Sequence, residues 1–315
     1  MKLPTISLFA AILSTFTLKG GEHWSDSYLD AKRMASSESK DLLIEFTGSD
    51  WCPPCIELSK KVLSTEIFEK ATSPHFVFLR LDFPNDKSTL TKEVMLQNKK
   101  LRQNYGPTGF PTLVLAESNG TPYASITGYN GQNPEDYVEE IDKLRKVKEA
   151  RDKKLASSKS LKGVEKSKML ISALEAMDLD LGNQCLAYFY EDILSEIAAS
   201  DPKEGAIYTA RIYSSKVHSE FMAKVDELKD DPASVRELAV SILATDQLVG
   251  IDKQKVISIT ALIDIEAGNL ERAEKALNEA RNVDPNGEFV RYIEQIADSI
   301  KKRAPDGSEQ PAESR

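Results

Sequence analysis

The chain of 315 residues is long enough for two domains of ordinary size, and its 50 acidic and 41 basic residues give a net charge of −9. With this acidic balance, no basic patch and no glycine-rich phosphate loop, the sequence gives no support to nucleic-acid or nucleotide binding. Three cysteines are too few for a disulfide scaffold, so the closely spaced pair Cys52 and Cys55 indicates catalysis rather than a structural crosslink.

The N-terminus has the pattern of a secretory signal. Lys2 is followed by an apolar stretch that ends near residue 18 and is short for a membrane span. We therefore expect a signal peptide over residues 1–21, with cleavage near Gly20 or Gly21, and export to the periplasm or the exterior. An uncleaved N-terminal anchor is the alternative, because no Ala-x-Ala cleavage site occurs.

The cysteine pair lies where a strand meets a helix. A helix is expected within residues 24–39, a short buried strand over residues 42–46, and a further helix over residues 56–68. A cysteine at a helix N-terminus faces unpaired backbone N–H groups and the positive end of the helix dipole, and both favour the thiolate. Cys52 is therefore the expected nucleophile. Cys55, one turn further into the helix, is the expected resolving thiol.

A metal site is the alternative use of such a pair. Structural zinc sites need a second pair of ligands at matching spacing. The third cysteine, Cys185, is isolated, and the histidines His23, His75 and His218 are scattered. We expect no metal and no cofactor, and we expect Cys185 to be a buried, inert thiol rather than a third redox group.

The residues Trp51-Cys52-Pro53-Pro54-Cys55, placed after a strand and before a helix, resemble the active site of thioredoxin-like proteins. The resemblance implies an α/β fold with a central mixed sheet flanked by helices. It also implies that Glu45 is a buried carboxylate which accepts the proton of the resolving cysteine, because burial beside a thiol would raise its pKa towards a useful range. A Glu with no catalytic role is the alternative.

The following elements complete the same order. A strand is expected over residues 76–82, a helix over 88–105, a hairpin of strands 112–116 and 124–127 around Asn119-Gly120, and a helix from residue 134. Thioredoxin-like proteins carry a cis-proline directly before a strand and opposite the cysteines, and Phe110-Pro111-Thr112 matches that motif. The resemblance implies that Trp51, Phe110, Pro111 and Thr112 bind substrate. A trans proline starting an edge strand is the alternative.

The composition changes after the thioredoxin-like region, which we place at residues 22–147. Residues 148–162 are rich in Lys, Glu, Asp, Ala and Ser and predict a charged linker, in the form of a solvated extension of the preceding helix. Residues 163–303 show helical periodicity without a convincing strand, and residues 304–315 have the composition of a disordered tail.

One stretch of the helical region resembles a tetratricopeptide repeat. Within residues 254–287 the small or turn positions of such a repeat are occupied by Ala261, Gly268, Ala273, Ala280 and Pro285. We expect two helices, at about 255–267 and 270–283, in an all-helical domain that binds a protein or peptide partner. A structural cap or a dimerisation surface is the alternative.

The sequence as a whole predicts an exported thiol–disulfide oxidoreductase that acts on protein thiols or disulfides. Pro53-Pro54 places no histidine between the cysteines to stabilise the thiolate, which favours a reductant. Such a protein needs an electron donor or acceptor that the sequence does not identify. A disulfide oxidase or isomerase, and a binding scaffold with a non-catalytic thioredoxin-like domain, remain the alternatives.

Overall fold

The computed structural model describes residues 24–228 and 230–303. The expected signal peptide and the expected disordered tail lie outside these residues. In the described part of the chain, no helix is both long and apolar enough to cross a membrane.

Five strands form one mixed sheet in the order β1-β3-β2-β4-β5. Strands β1, β3 and β2 are parallel to one another, and β4 pairs antiparallel with both β2 and β5. The strands are β1 (Trp24–Ser25), β2 (Asp41–Thr47), β3 (Phe76–Asp82), β4 (Thr112–Ala116) and β5 (Pro122–Thr127). This is the mixed sheet flanked by helices that the thioredoxin-like resemblance implies, and that expectation is confirmed.

The helices of this first part are α1 (Tyr28–Glu38), α2 (Pro53–Leu58), α3 (Glu66–Thr72), α4 (Lys92–Tyr105) and α5 (Pro134–Ser158). Alternate side chains of β2 enter two cores, as expected for a strand buried on both faces. Leu43 packs on one face with residues of α2, α3 and α5. Ile44 and Phe46 pack on the other face with residues of α1 and α4.

The single helix expected over residues 56–68 is wrong. Helix α2 ends at Leu58, continues as a π-helical turn over Ser59–Leu63, and is separated from α3 by Ser64 and Thr65. The Thr65 hydroxyl donates to the Val62 carbonyl at 2.7 Å and accepts from the Phe68 amide at 3.3 Å. A threonine bonded in this way caps the N-terminus of α3, because its hydroxyl accepts from a backbone amide of the first turn. The helical segment is therefore interrupted before Glu66, even though the apolar spacing continues.

The described residues after α5 are largely helical, as expected. Its helices are α6 (Gly163–Glu175), α7 (Gln184–Phe189), α8 (Glu191–Ser200), α9 (Glu204–Glu227), α10 (Pro232–Leu243), α11 (Gly250–Glu266), α12 (Leu270–Val283) and α13 (Val290–Arg303). Helices α11 and α12 match the two helices expected around Gly268, whose φ of 76° suits a glycine. Ala261, Ala273 and Ala280 are fully buried between them. Membership of the tetratricopeptide class stays a prediction.

The helical part is joined to the sheet. After α6 the chain lies along the exposed edge of β5, where the Ser125 amide donates to the Asp178 carbonyl at 2.8 Å and the Asp180 amide donates to the Ser125 hydroxyl at 2.8 Å. Edge strands carry unpaired backbone groups that proteins commonly cover. One hydrophobic cluster runs from the sheet into the helical part through Leu170 and Leu194. The core is therefore continuous across the boundary.

The segment 148–162 continues helix α5 as far as Ser158, and most of its residues are exposed, but Arg151 and Ser158 are buried. Arg151 is buried, and its guanidinium donates to the Tyr190 hydroxyl at 2.8 Å and to the Glu117 carboxylate. The Tyr190 hydroxyl donates in turn to the Pro122 carbonyl at 2.6 Å. Arg151 thus belongs to an internal polar network, whereas most of the other charged residues of this segment are exposed. The domain boundaries themselves stay predictions.

Candidate active site

A disulfide joins Cys52 and Cys55 at the start of α2. Cys52 is the N-cap residue with extended backbone dihedrals, and its carbonyl accepts from the Ile56 amide at 3.1 Å. Pro53 and Pro54 occupy the first helical positions, where a missing N–H removes no helical hydrogen bond. The pair therefore lies at the strand-to-helix junction expected from the sequence, at the positive end of a helix.

A cleft of about 560 Å³ opens beside Cys52. Its walls include Trp51, Phe83 and Phe110. The Trp51 indole N–H donates to the Phe83 carbonyl at 2.7 Å, and the Trp51 and Phe110 ring centroids are 5.9 Å apart. Trp51 keeps 44% of its surface exposed, whereas Cys52 keeps 4%. The aromatic rings thus flank the disulfide and leave one side of it accessible from the cleft.

The peptide bond between Phe110 and Pro111 is cis, as expected from the sequence motif. Phe110 lines the cleft, but Pro111 and Thr112 are buried behind it. The Thr112 hydroxyl donates to the Gly109 carbonyl at 2.8 Å and lies 3.1 Å from the Thr127 hydroxyl. Of the four residues expected to bind substrate, Trp51 and Phe110 therefore present side chains to the cleft. The Thr112 side chain instead stabilises the loop that contains Gly109.

Cys55 lines a different cavity, of about 380 Å³, together with Glu45 and Arg80. This cavity shares no lining residue with the cleft beside Cys52. Cys55 is 1% exposed, and the two cysteines of the disulfide line two separate spaces. Cys52 lines the cleft that the aromatic rings flank, and Cys55 does not.

Glu45 is fully buried, as the resemblance implied. The Arg80 guanidinium donates to Glu45 Oε2 at 2.8 Å, while Oε1 has no hydrogen-bond partner within the described part of the chain. Burial raises the pKa of the Glu45 carboxyl, and the neighbouring positive charge of Arg80 opposes that effect without cancelling it. A carboxylate with a raised pKa is a better proton acceptor near neutral pH.

Two features of the cleft were not predicted from the sequence. The Arg102 guanidinium lies over the rings of Phe83 and Phe110, 5.5 Å and 5.3 Å from their centroids. Arg102 is in the last turn of α4, where a basic side chain also suits the helix dipole, and no motif marks it. Phe83 follows β3 directly, and its position after a strand that neighbours β2 was the available signal.

A set of hydrogen bonds fixes the loop before Cys52. The Asp50 carboxylate accepts from the backbone amides of Asn85 and Asp86 at 2.9 and 3.0 Å, and these bonds lower the pKa of Asp50. The Ser49 hydroxyl donates to Asp82 at 2.5 Å. The loop that carries Trp51 is therefore tied to the loop that carries Phe83. In the described ranges, no group of three or more His, Cys, Asp or Glu is arranged to hold a metal ion.

Residues 29–145 match the family model of the thioredoxin-like domain. These residues are a thioredoxin-like domain. The order of the sheet, the Cys-Pro-Pro-Cys pair at the start of α2 and the cis-proline beside it agree with that match. With this domain and its cysteine pair, the protein is a thiol–disulfide oxidoreductase.

Each of the relatives matches less than half of this chain. The disulfide bond reductase DsbH of Chlamydia pneumoniae is 29% identical over 123 residues, which are 39% of this chain and 73% of that protein. The thioredoxin-related protein DsbJ of Chlamydia pneumoniae is 25% identical over 121 residues, which are 36% of this chain and 34% of that protein. A solved structure of a DsbH oxidoreductase is 28% identical, with a TM-score of 0.36, over 38% of this chain and 81% of that one.

Proposed function

We propose that the protein is an exported reductant of protein disulfides, in which Cys52 is the nucleophile and Cys55 the resolving thiol. The observation that carries the proposal is the division of the disulfide between two spaces, with Cys52 on the cleft and Cys55 on the cavity of Glu45. A substrate disulfide brought into the cleft meets Cys52 first. Cys52 is also the sulfur at the helix N-cap, where the thiolate is stabilised.

The reaction has two steps. The Cys52 thiolate attacks one sulfur of the substrate disulfide, so that a mixed disulfide forms and the other substrate sulfur leaves as a thiolate. Cys55 then loses its proton to the Glu45 carboxylate and attacks the Cys52 sulfur, which forms the Cys52–Cys55 disulfide and releases the second substrate thiolate. Two electrons pass to the substrate. A dithiol donor outside this chain must reduce the disulfide again before the next turnover.

Three observations support Glu45 in the second step. It lines the same cavity as Cys55, it is fully buried, and its pKa is raised by burial. Positioned proton transfer by a carboxylate typically contributes about 10²–10⁴-fold to a rate. Arg80 remains paired with Glu45 and limits how far the pKa rises, which keeps the group able to release the proton again.

The direction of electron flow rests on two arguments. Pro53 and Pro54 offer the Cys52 thiolate no side-chain donor, and a less stabilised thiolate gives a more reducing couple. The relative DsbH carries the name of a reductase. The substrate is a protein disulfide in this proposal, because the flanking rings of Trp51 and Phe110 suit a polypeptide rather than a small ion. The helical part supplies the partner surface, and the apolar N-terminal stretch supplies the export signal.

The reduction potential of the Cys52–Cys55 couple tests the direction. Equilibrated against a series of glutathione redox buffers, the couple should lie nearer the value of thioredoxin, about −270 mV, than that of strongly oxidising members of the fold, about −120 mV. Cys185→Ser is the matched control and should have the same potential, because Cys185 is free and buried outside the site. A potential above the midpoint of those two values would replace the reductant with an oxidase or isomerase. Loss of insulin reduction in Cys52→Ser tests the nucleophile.

A further inference from the structure

A groove of about 740 Å³ lies between helix α4 of the thioredoxin-like domain and helix α9 of the helical part. It shares Phe83 and Arg102 with the cleft beside Cys52, so the two spaces adjoin. A polypeptide whose cysteine sits at Cys52 can therefore extend past Phe83 and Arg102, which line both spaces, towards the second wall on α9.

The lining of the groove combines apolar and basic side chains. Leu90 and Met95 lie on the domain side and Met222 on the α9 side. Met222 has 41% of its surface exposed. Methionine side chains are flexible and polarisable and adapt to varied apolar partners. The apolar part of the groove thus suits side chains of different shapes, as a reductant of several proteins requires.

The groove is lined by three basic residues, Lys87, Lys99 and Arg102, and by two acidic residues, Asp82 and Asp226. Lys87 and Arg102 line it and form no ion pair with any residue in the described ranges, whereas Lys99 is paired with Glu227 at 3.1 Å. The chain as a whole carries a net charge of −9. Two cations that form no ion pair within the protein, beside an apolar surface, can pair with an acidic side chain of a ligand that also carries an apolar side chain.

We propose that this groove binds the segment of the substrate polypeptide that flanks the reactive cysteine, with an apolar side chain between Met95 and Met222 and an acidic side chain near Lys87. The inference rests on the proposed function and adds the recognition of the substrate to it. It gives the helical part a defined task, since α9 supplies one wall of the groove and no part of the sulfur chemistry. Because the groove adjoins the cleft beside Cys52, we assign it to a segment of the substrate rather than to a second copy of this chain.

The test measures the first chemical step with the reduced full-length protein. The probe is a peptide with one cysteine activated as a mixed disulfide with thionitrobenzoate, extended on either side by apolar and acidic residues. Attack by the Cys52 thiolate forms the protein–peptide disulfide and releases coloured thionitrobenzoate. Ellman's reagent, which has no peptide extension, is the reference substrate. The second-order rate constants of both are compared.

Met222→Glu is the main variant, because it places a charge on the apolar wall without entering a closed core. The matched control is Ile207→Glu, on the same helix, 48% exposed and outside the groove. We expect Met222→Glu to react at least about tenfold more slowly with the extended peptide, and at the wild-type rate with Ellman's reagent. Ile207→Glu should match the wild type with both substrates.

Lys87→Glu supplies a second, charge-based variant. This variant should react with the acidic peptide at a lower rate constant than the wild type. The rate constant should recover when the acidic residue of the peptide is replaced with lysine. Equal rates of wild type and Met222→Glu with the peptide, or an equal loss with both substrates, would overturn the groove. The proposal would also be overturned if Met222→Glu lost self-association while its rates with the peptide stayed unchanged, since a second copy of the chain would then occupy the groove. If Cys52 of the wild type failed to react even with Ellman's reagent, the proposed function itself would fail.

Discussion

Replacing Glu45 with glutamine should make the protein more stable at neutral pH, although the change removes one partner of an ion pair. Glu45 is fully buried, and one carboxylate oxygen lacks a hydrogen-bond partner within the described part of the chain. Burial of the charge raises the pKa of this carboxyl above its ordinary value of 4.5. A raised pKa means that the folded state holds the charged form less well than the unfolded state does.

The pH dependence of this effect follows from the sign of the shift. Below pH 4.5 the carboxyl is protonated in both states and costs nothing. As the pH rises from 4.5 through the folded-state pKa, the unfolded state loses the proton first, so the stability falls, and the full cost is present above the folded-state pKa. Glutamine has no such dependence. It can still accept from Arg80, which keeps a third of its side chain exposed.

The magnitude follows from the unpaired oxygen. Leaving a buried polar group without a partner costs about 1–3 kcal/mol, and more when it is charged. The amide of glutamine keeps part of that cost, and Arg80, which loses its charged partner, is partly exposed to water. We therefore expect a gain of about 1–3 kcal/mol for Glu45→Gln at pH 7. The gain should vanish below pH 4.5, where the neutral carboxyl and the amide are similar.

Urea unfolding of the oxidised proteins measures this difference. Trp24 and Trp51, the two tryptophans of the chain, both lie in the first part, so their fluorescence reports on the unit that contains Glu45. The control is Glu57→Gln, which breaks an exposed i,i+4 pair with Lys61 and should change stability by less than about 0.5 kcal/mol. A midpoint at pH 7 that is unchanged or lower in Glu45→Gln, or a gain that persists below pH 4.5, would refute the reasoning.

Two further predictions concern reactivity and the link between the parts. A brief iodoacetamide pulse on the reduced protein at neutral pH should label Cys52 far ahead of Cys185, because Cys52 lines the cleft and burial raises the pKa of Cys185. Mass mapping of the labelled protein shows the order of labelling. Faster labelling of Cys185 would contradict the prediction. Tyr190→Phe should lower stability by about 1–3 kcal/mol, because it removes the buried hydrogen bonds of the Tyr190 hydroxyl with the Pro122 carbonyl and the Arg151 guanidinium. The exposed Tyr292→Phe is the neutral control in the same urea titration.

The sequence was sufficient where a signal is local. Strand β3 has the bounds 76–82 that its run of β-branched and aromatic residues predicts. The cysteine pair at the start of α2 and the cis bond before Pro111 follow from short motifs whose geometry depends on a few neighbouring residues. Helix α5 begins at Pro134 as predicted, since proline suits the first helical position.

The sequence was insufficient where contacts join distant residues. The charged stretch around Arg151 predicts solvent exposure, and nothing local reveals that Glu117 and Tyr190 enclose the guanidinium. The position of Arg102 over the Phe83 and Phe110 rings depends on the packing of α4 against two loops. Periodicity likewise carries no information about which helix covers which edge of the sheet. The contacts of Arg151 and of Arg102 can be seen only in the tertiary structure, because each involves residues from three separate segments of the chain.

The division of the disulfide between two spaces explains why this site tolerates an unfavourable residue. In the proposed mechanism, a substrate in the cleft meets Cys52, and Cys55 resolves the mixed disulfide from the cavity that it shares with Glu45. A proton acceptor at that position must be buried, and burial is what costs stability. Functional groups that are held in unfavourable surroundings commonly show this conflict between stability and activity. Glu45→Gln should therefore stabilise the fold and slow resolution of the mixed disulfide, while the attack of Cys52 on a substrate keeps its rate.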